Sequence, residues 1–90
     1  MLTENDKKII SDIAVNTKAS VVAIGDYPIY EDMDVYPLYI GVKDKAIVDE
    51  TKNTFLSKLS DKIKEQVILS VCPIAYVDSK KNVFYRRGNN

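Results

Sequence analysis

The sequence predicts an α+β protein, a two-layer α/β sandwich with two helices on one face of one mixed sheet of three or four strands. Apolar residues recur at helical spacing in residues 3–18 and 44–66. Short apolar or β-branched runs with strand periodicity stand at 21–24, 36–42, 67–77 and 83–85. The order αββαβ(β) places one-sided helices beside apolar strands, and two packed layers are the stable arrangement of such elements. A chain of 90 residues suits a single domain, 1–90.

The first helix is expected to begin at Thr3, because Asp6 three residues later completes a capping-box pattern. Ile10 and Ile13 share its apolar face, whereas Asp12 lies away from it. The one-sided pattern predicts a helix that lies on the sheet rather than one buried on every side.

The second helix is expected to run from an N-cap at Asp44 to about Gln66, with Phe55 and Leu59 on its buried face. A helix of that length would measure ~35 Å at about 1.5 Å per residue. Because this is long for so small a domain, a break near Asn53 is an open alternative.

Residues 67–77 form the most apolar stretch of the chain, with apolar side chains on both faces of the predicted strand. That pattern favours a central strand. Pro73 cannot donate to a ladder, so a bulge or a change of partner is expected there. Residues 78–82 are expected to turn, and residues 86–90 to form a flexible tail.

The core is predicted from the apolar faces of these elements. Its expected members are Ile10, Ile13, Val22, Ile24, Ile40, Phe55, Leu59, Ile63, Leu69 and Val71.

Composition excludes several classes of function. Thirteen basic and thirteen acidic residues give no net charge, so a general role on nucleic acid or on an anionic membrane is not indicated. The absence of histidine excludes histidine bases and histidine metal ligands. No apolar run is long enough to span a membrane, and the polar start, residues 1–6, is unlike a signal peptide, which predicts a cytoplasmic protein.

The connection between the first two strands concentrates acids and tyrosines. Every charge between Lys18 and Lys43 is negative, and four of the six tyrosines lie in the same stretch. A partner-binding surface is predicted at Asp26, Tyr27, Tyr30, Glu31, Asp32, Asp34 and Tyr36. Tyrosine suits such surfaces because it offers contact area at low entropic cost. A solvated loop and a carboxylate metal site are the alternatives.

Two segments carry a resemblance to a known family. Ala23-Ile24-Gly25-Asp26 stands at the end of the first strand, and Asp32-Met33-Asp34-Val35 has an acidic-hydrophobic-acidic-hydrophobic pattern before the second. Together with the element order, these segments resemble the minimal nucleotidyltransferase domains over most of the chain.

The resemblance implies that Asp32 and Asp34 would hold Mg²⁺ against the phosphates of a nucleoside triphosphate. Asp26 stands where the family has a serine, Pro28 interrupts the phosphate-side turn, and residues 67–77 hold no third acid. The resemblance therefore implies an active or a degenerate relative.

Two further features admit functional interpretations. Lys80, Lys81, Arg86 and Arg87 flank two aromatic residues, a pattern that can contact single-stranded nucleic acid but is equally that of a solvated turn and tail. Cys72, the single cysteine, has no histidine to activate it and is predicted to be a small core residue.

The sequence therefore predicts a small non-enzymatic interaction or self-assembly module without a cofactor. Its expected partner is another protein or a second copy, in which the basic end of one copy would meet the acidic residues of the next. The alternative is a nucleotidyltransferase-like domain, active or degenerate, that binds Mg²⁺ and a nucleoside triphosphate.

Overall fold

The computed structural model describes residues 2–87, which form four strands and four short or medium α-helices. In chain order these are α1 (Glu4–Val15), β1 (Val21–Ile24), β2 (Tyr36–Val42), α2 (Val48–Lys58), α3 (Asp61–Lys64), β3 (Val67–Pro73), α4 (Ile74–Asp78) and β4 (Val83–Arg86). A 3₁₀ turn, Lys45–Ile47, precedes α2. Within this part of the chain, no helix has the length and apolar character needed to cross a bilayer.

The four strands form one mixed sheet in the order β3-β2-β1-β4. β1 pairs antiparallel with β2 and with β4, whereas β2 pairs in parallel with β3. The parallel pair requires a crossover, which is supplied by residues 43–66 with α2 and α3. The predicted α+β class with one mixed sheet is confirmed.

The main core lies between one face of the sheet and the helices α1, α2 and α3. Nine of the ten predicted core residues are buried in it, and the tenth, Val71, is partly buried against it. Alternate residues of β1 and β2 point into this core, as strand geometry requires, and Leu38 and Ile40 are fully buried there.

A capping box starts α1, as the sequence predicts. The Thr3 hydroxyl accepts a hydrogen bond from the backbone N–H of Asp6 at 3.0 Å. The backbone N–H of Thr3 donates in return to the Asp6 carboxylate at 3.1 Å. That backbone hydrogen bond is the main cause that lowers the pKa of Asp6, and burial of the carboxyl opposes it.

Replacing Asp6 by asparagine is expected to lower the free energy of unfolding by about 0.5–1 kcal/mol at neutral pH, because a carboxylate near a helix N-terminus is lost. Since the pKa of Asp6 is lower in the folded than in the unfolded chain, its contribution is complete above the unfolded value and is lost as pH falls through the folded one. The difference between the wild type and Asp6→Asn should therefore begin to shrink below about pH 4 and disappear only in stronger acid.

Urea unfolding at a series of pH values measures this difference, with Asp12→Asn on the exposed side of α1 as the control. A difference that persists unchanged into acid would show that the charge of Asp6 does not stabilise the helix.

The single long helix predicted over 44–66 is wrong, and so is a break near Asn53. Asp44 caps the 3₁₀ turn through the N–H of Ala46, and α2 ends at Lys58. Leu59 has an extended backbone, with φ −71° and ψ 140°, and Ser60 then caps α3. The break turns the Leu59 side chain into the main core, where it is almost fully buried.

The prediction of a central strand over 67–77 is also wrong. β3 ends at Pro73 and, among the described strands, has β2 as its one neighbour, so it lies at an edge. Pro73 then becomes the N-cap of α4. The chain folds back here and buries Val77 against Val21 and Ala23 on the second face of the sheet. The apolar residues after Pro73 therefore form a second, smaller core rather than more strand.

The predicted flexible tail begins too early. Arg86 is part of β4, pairs with Val21 in the ladder and forms an ion pair with Asp78. The Arg87 guanidinium donates to the carbonyls of Ala19, Ala14 and Thr17, at 3.1 Å and 3.4 Å for the first two. These contacts fix β4 beside the end of α1, and the rest of the predicted tail, 88–90, lies outside the described residues.

Candidate interaction surface

The acidic loop, residues 25–35, joins the antiparallel strands β1 and β2. Backbone hydrogen bonds close it at three levels: Gly25 N–H to Pro37 at 2.8 Å, Ile29 N–H to Val35 at 2.8 Å, and Met33 N–H to Tyr30 at 3.2 Å. The loop therefore has a defined conformation, which hydrogen bonds within its own backbone stabilise. Most of its side chains are exposed.

Large apolar side chains of the acidic loop face solvent. Tyr27 is 80% exposed, Tyr30 is 55%, Met33 is 50% and Ile29 is 39%. They stand among the exposed carboxylates of Asp26, Glu31, Asp32 and Asp34. Large apolar side chains exposed among charged ones are typical of surfaces that bind other proteins.

Six of the seven predicted partner-binding residues lie in this exposed loop, and the seventh does not. Tyr36 begins β2 and packs against the main core, where it is half-buried. Its backbone N–H donates to the carbonyl of Gln66 at 3.0 Å, beside the start of β3.

The turn after α4 meets the acidic loop. The Asn82 amide donates to the Asp26 carboxylate, and the carbonyl of Asn82 accepts from the backbone N–H of Ile24 at 3.1 Å. Lys80 and Lys81, in the same turn, therefore lie at the acidic end of the sheet. Arg86 and Arg87, which close β4, lie at the opposite end beside Ser20.

This arrangement divides the predicted basic segment. Arg86 forms an ion pair with Asp78, and the Arg87 guanidinium donates hydrogen bonds to the carbonyls that follow α1. Phe84 and Tyr85, the aromatic residues between the basic ones, are half-buried against the main core. In the described residues the basic segment is thus not one exposed patch.

Two tyrosines and a lysine form a cluster on the second face of the sheet. The rings of Tyr39 and Tyr76 meet edge to face, with centroids 5.7 Å apart and planes at 73°. The Lys80 ammonium lies 4.7 Å from the Tyr39 centroid and 4.2 Å from the Tyr76 centroid. A hydrogen bond with Tyr76 is the main cause that raises the pKa of Lys80, and burial raises the pKa of Tyr39.

A cavity of about 300 Å³ connects this cluster to the acidic loop. It is lined by Ile24, Gly25, Asp26, Tyr27, Pro37, Tyr39 and Lys80. The cavity therefore has aromatic walls, one carboxylate and one ammonium, and opens where the loop leaves β1.

The predicted metal ligands lie in the loop rather than in a strand. Asp32 and Asp34 are both exposed and precede β2, which begins at Tyr36. Among residues 2–87, no group of three or more carboxylate or cysteine side chains is arranged to hold a metal ion.

Cys72 lies in β3 on the second face and is half-buried, in contact with Ser70 at 3.3 Å between Sγ and Oγ. It packs against the smaller core, as expected of a structural cysteine.

The sequence interpretation missed Tyr76 and Asn82 as parts of this surface. Tyr76 was assigned to a strand, where it could not meet Lys80. A proline followed by a helical spacing of Ile74 and Val77 was the signal for α4. Nothing local in the sequence joins Asn82 to Asp26, because 56 residues separate them.

Comparison of the chain with protein-family models, with curated proteins and with solved structures gave no match. The resemblance to nucleotidyltransferase domains therefore stays a prediction from the sequence.

Proposed function

We propose that the protein is a non-enzymatic interaction module whose acidic loop binds a basic segment of another protein. The observation that supports this most directly is the outward position of Tyr27, Tyr30 and Met33 in a loop whose backbone is itself hydrogen-bonded. Exposing these side chains to water costs free energy, and contact with a partner would recover it.

The charges of the loop define the partner. Asp26, Glu31, Asp32 and Asp34 lie within nine residues of one another along the chain. A basic segment would relieve the repulsion between these carboxylates and speed the encounter. Since exposed ion pairs contribute only about 0–1 kcal/mol each, stable binding also needs apolar contact with the tyrosines.

The basic end of a second copy suits this role less well than a separate protein does. Arg86 and Arg87 would have to leave Asp78 and the end of α1. We therefore favour a partner that brings its own lysines, together with apolar residues between them.

Two geometric features favour binding over nucleotidyl transfer. Asp32 and Asp34 stand in the loop and do not open β2, and β3 offers no carboxylate opposite them. Titration calorimetry with Mg²⁺ and a nucleoside triphosphate is expected to give no heat beyond dilution. A saturable, Mg²⁺-dependent heat that disappears in Asp32→Asn/Asp34→Asn would favour the transferase alternative instead.

Replacing Tyr27 and Tyr30 together by serine is expected to weaken binding of a basic, apolar peptide by about tenfold or more, because aromatic anchors supply most of the affinity of such surfaces. The probe is a labelled peptide of lysine and leucine residues spaced by glycine, and fluorescence anisotropy measures its binding. Replacing Asp32 and Asp34 by asparagine should weaken binding mainly at low salt, since the charge contribution is screened.

The matched control for the carboxylates is Asp49→Asn/Glu50→Gln, which removes two exposed charges from the start of α2. A second peptide with glycine in place of leucine separates charge from apolar contact. Equal binding by the wild type, both loop variants and the control variant would show that the acidic loop is only solvated. Sedimentation of the same proteins at low and high salt tests binding between copies.

A further inference from the structure

The rings of Tyr39 and Tyr76 enclose one ammonium from two sides. Lys80 Nζ lies within 4.7 Å of both ring centroids, and the two planes are steeply inclined at 73°. A cation held by inclined aromatic faces is the arrangement by which proteins recognise ammonium groups, including methylated lysine. The site thus already holds a ligand of this class, supplied by its own chain.

The two rings are positioned by the fold, whereas the ammonium is not. Tyr39 belongs to β2 in the middle of the sheet, and Tyr76 belongs to α4, which Val77 anchors in the second core. Lys80 follows α4 in an exposed turn, and its backbone N–H donates to Val77 at 3.0 Å. Its ammonium therefore reaches the rings on a flexible side chain that can swing away while the rings stay in place.

The cavity beside the rings has the chemistry for a second ammonium. Asp26 supplies a carboxylate, Tyr27 and Pro37 supply apolar walls, and the volume of about 300 Å³ has room for an alkylammonium side chain. An ammonium bound in this cavity would lie beside the Lys80 ammonium, and the two positive charges would repel each other. A ligand therefore has to displace Lys80 from the rings.

We propose that Tyr39 and Tyr76 form a cation site that Lys80 occupies in the free protein and that a lysine side chain of the partner, methylated or unmodified, occupies in the complex. This inference rests on the proposed function. It identifies a lysine side chain as the group of the basic partner that binds between Tyr39 and Tyr76. Lys80 acts as a tethered competitor, so the apparent affinity for a partner is reduced by the fraction of time that the site is free.

The test compares the wild type with Lys80→Ala, using tetramethylammonium and the amide of N-acetyl-trimethyllysine as probes. If Lys80 fills the site about nine-tenths of the time, its removal is expected to strengthen binding of both probes by about tenfold. Chemical shifts of the Tyr39 and Tyr76 ring protons report the binding. Lys81→Ala removes the same charge from the next position and should leave probe affinity unchanged.

A second variant, Lys80→Ala/Tyr76→Leu, should lose the gain, because one wall of the site is missing. Lys80→Met keeps the side-chain stem without its charge, and it serves if the alanine variant does not fold. Equal affinity of the wild type and both Lys80 variants for the probes would overturn the proposal. So would a gain that survives Tyr76→Leu, since the ammonium would then be held without the Tyr76 ring.

The lysine-leucine peptide separates this inference from the proposed function. Tyr30→Ser changes a residue outside the cavity lining, so it should weaken peptide binding and leave tetramethylammonium binding to Lys80→Ala intact. If Lys80→Ala binds tetramethylammonium more tightly but the peptide no better than Lys81→Ala does, a partner lysine is not the occupant and that part of the proposal fails. If no variant binds the peptide while the ammonium probes behave as expected, the proposed function fails and the cation site remains.

Discussion

Replacing Phe55 by alanine is expected to lower the free energy of unfolding by about 3–5 kcal/mol. Phe55 is fully buried in the main core, where α2 faces the sheet. Its loss removes apolar burial and leaves a cavity that the surrounding side chains fill only in part. Against a total stability of ~5–10 kcal/mol for a domain of this size, the variant would be marginally folded.

Urea unfolding followed by circular dichroism measures the loss, and Leu56→Ala provides a matched control. Leu56 is the next residue of α2 but is exposed, so its truncation is expected to cost less than about 1 kcal/mol. Similar unfolding midpoints for the two variants would mean that α2 does not pack on the sheet through Phe55.

Replacing Gly41 by alanine is expected to cost about 1–3 kcal/mol, because the second face has no room for a methyl group. A Cβ atom at this position would lie 2.4 Å from Val21 Cγ1, 3.2 Å from Ile74 Cα and 3.3 Å from Val77 Cβ. Valine cannot easily rotate away within a strand, and Ile74 presents backbone. The added methyl should therefore push α4 off the sheet.

Displacement of α4 also moves Tyr76, so Gly41→Ala should change two measurements together. Urea unfolding gives the loss of stability, and ring-proton shifts of Tyr39 and Tyr76 report whether the two rings still meet. Ser70→Ala, on the same face of β3, changes a half-buried small residue without adding volume and is the control. A Gly41→Ala protein as stable as the wild type, with unchanged ring shifts, would contradict the close packing of α4 on the sheet.

Local patterns predicted the elements whose side chains follow one period. Ile10 and Ile13 marked the buried side of α1, and Ile40 marked the buried side of β2, because each pattern repeats within one regular element. The Thr3–Asp6 cap was equally predictable, since it depends on residues three apart.

The errors arose where tertiary contacts overrode a continuous local pattern. Helical periodicity runs through Leu59 without interruption, but the backbone is extended at that residue. A new helix, α3, then begins after its N-cap at Ser60. Apolar residues continue past Pro73, yet the second half of that run serves the opposite face. Periodicity alone does not say which of two cores an apolar residue joins.

The candidate site could be predicted only in its local part. The concentration of acids and tyrosines in residues 25–35 is visible in the sequence, and the structure exposes most of them. The roles of Lys80, Arg86 and Arg87 depend on which residues they meet across the fold. Charge counts along the chain placed these residues together, whereas the sheet separates Lys80 from the two arginines.

The position of β1 between β2 and β4 determines the order in which the sheet can assemble. β1 can pair with β2 as soon as the acidic loop closes, but its other side waits for residues 83–86, with Val21 opposite Arg86. Pairings so distant along the chain have a higher loop-closure entropy cost than the β1–β2 hairpin and fold more slowly. During synthesis, the apolar strand Val21–Ile24 therefore keeps one open edge until β4 has emerged, and in that interval the nascent chain is most exposed to aggregation.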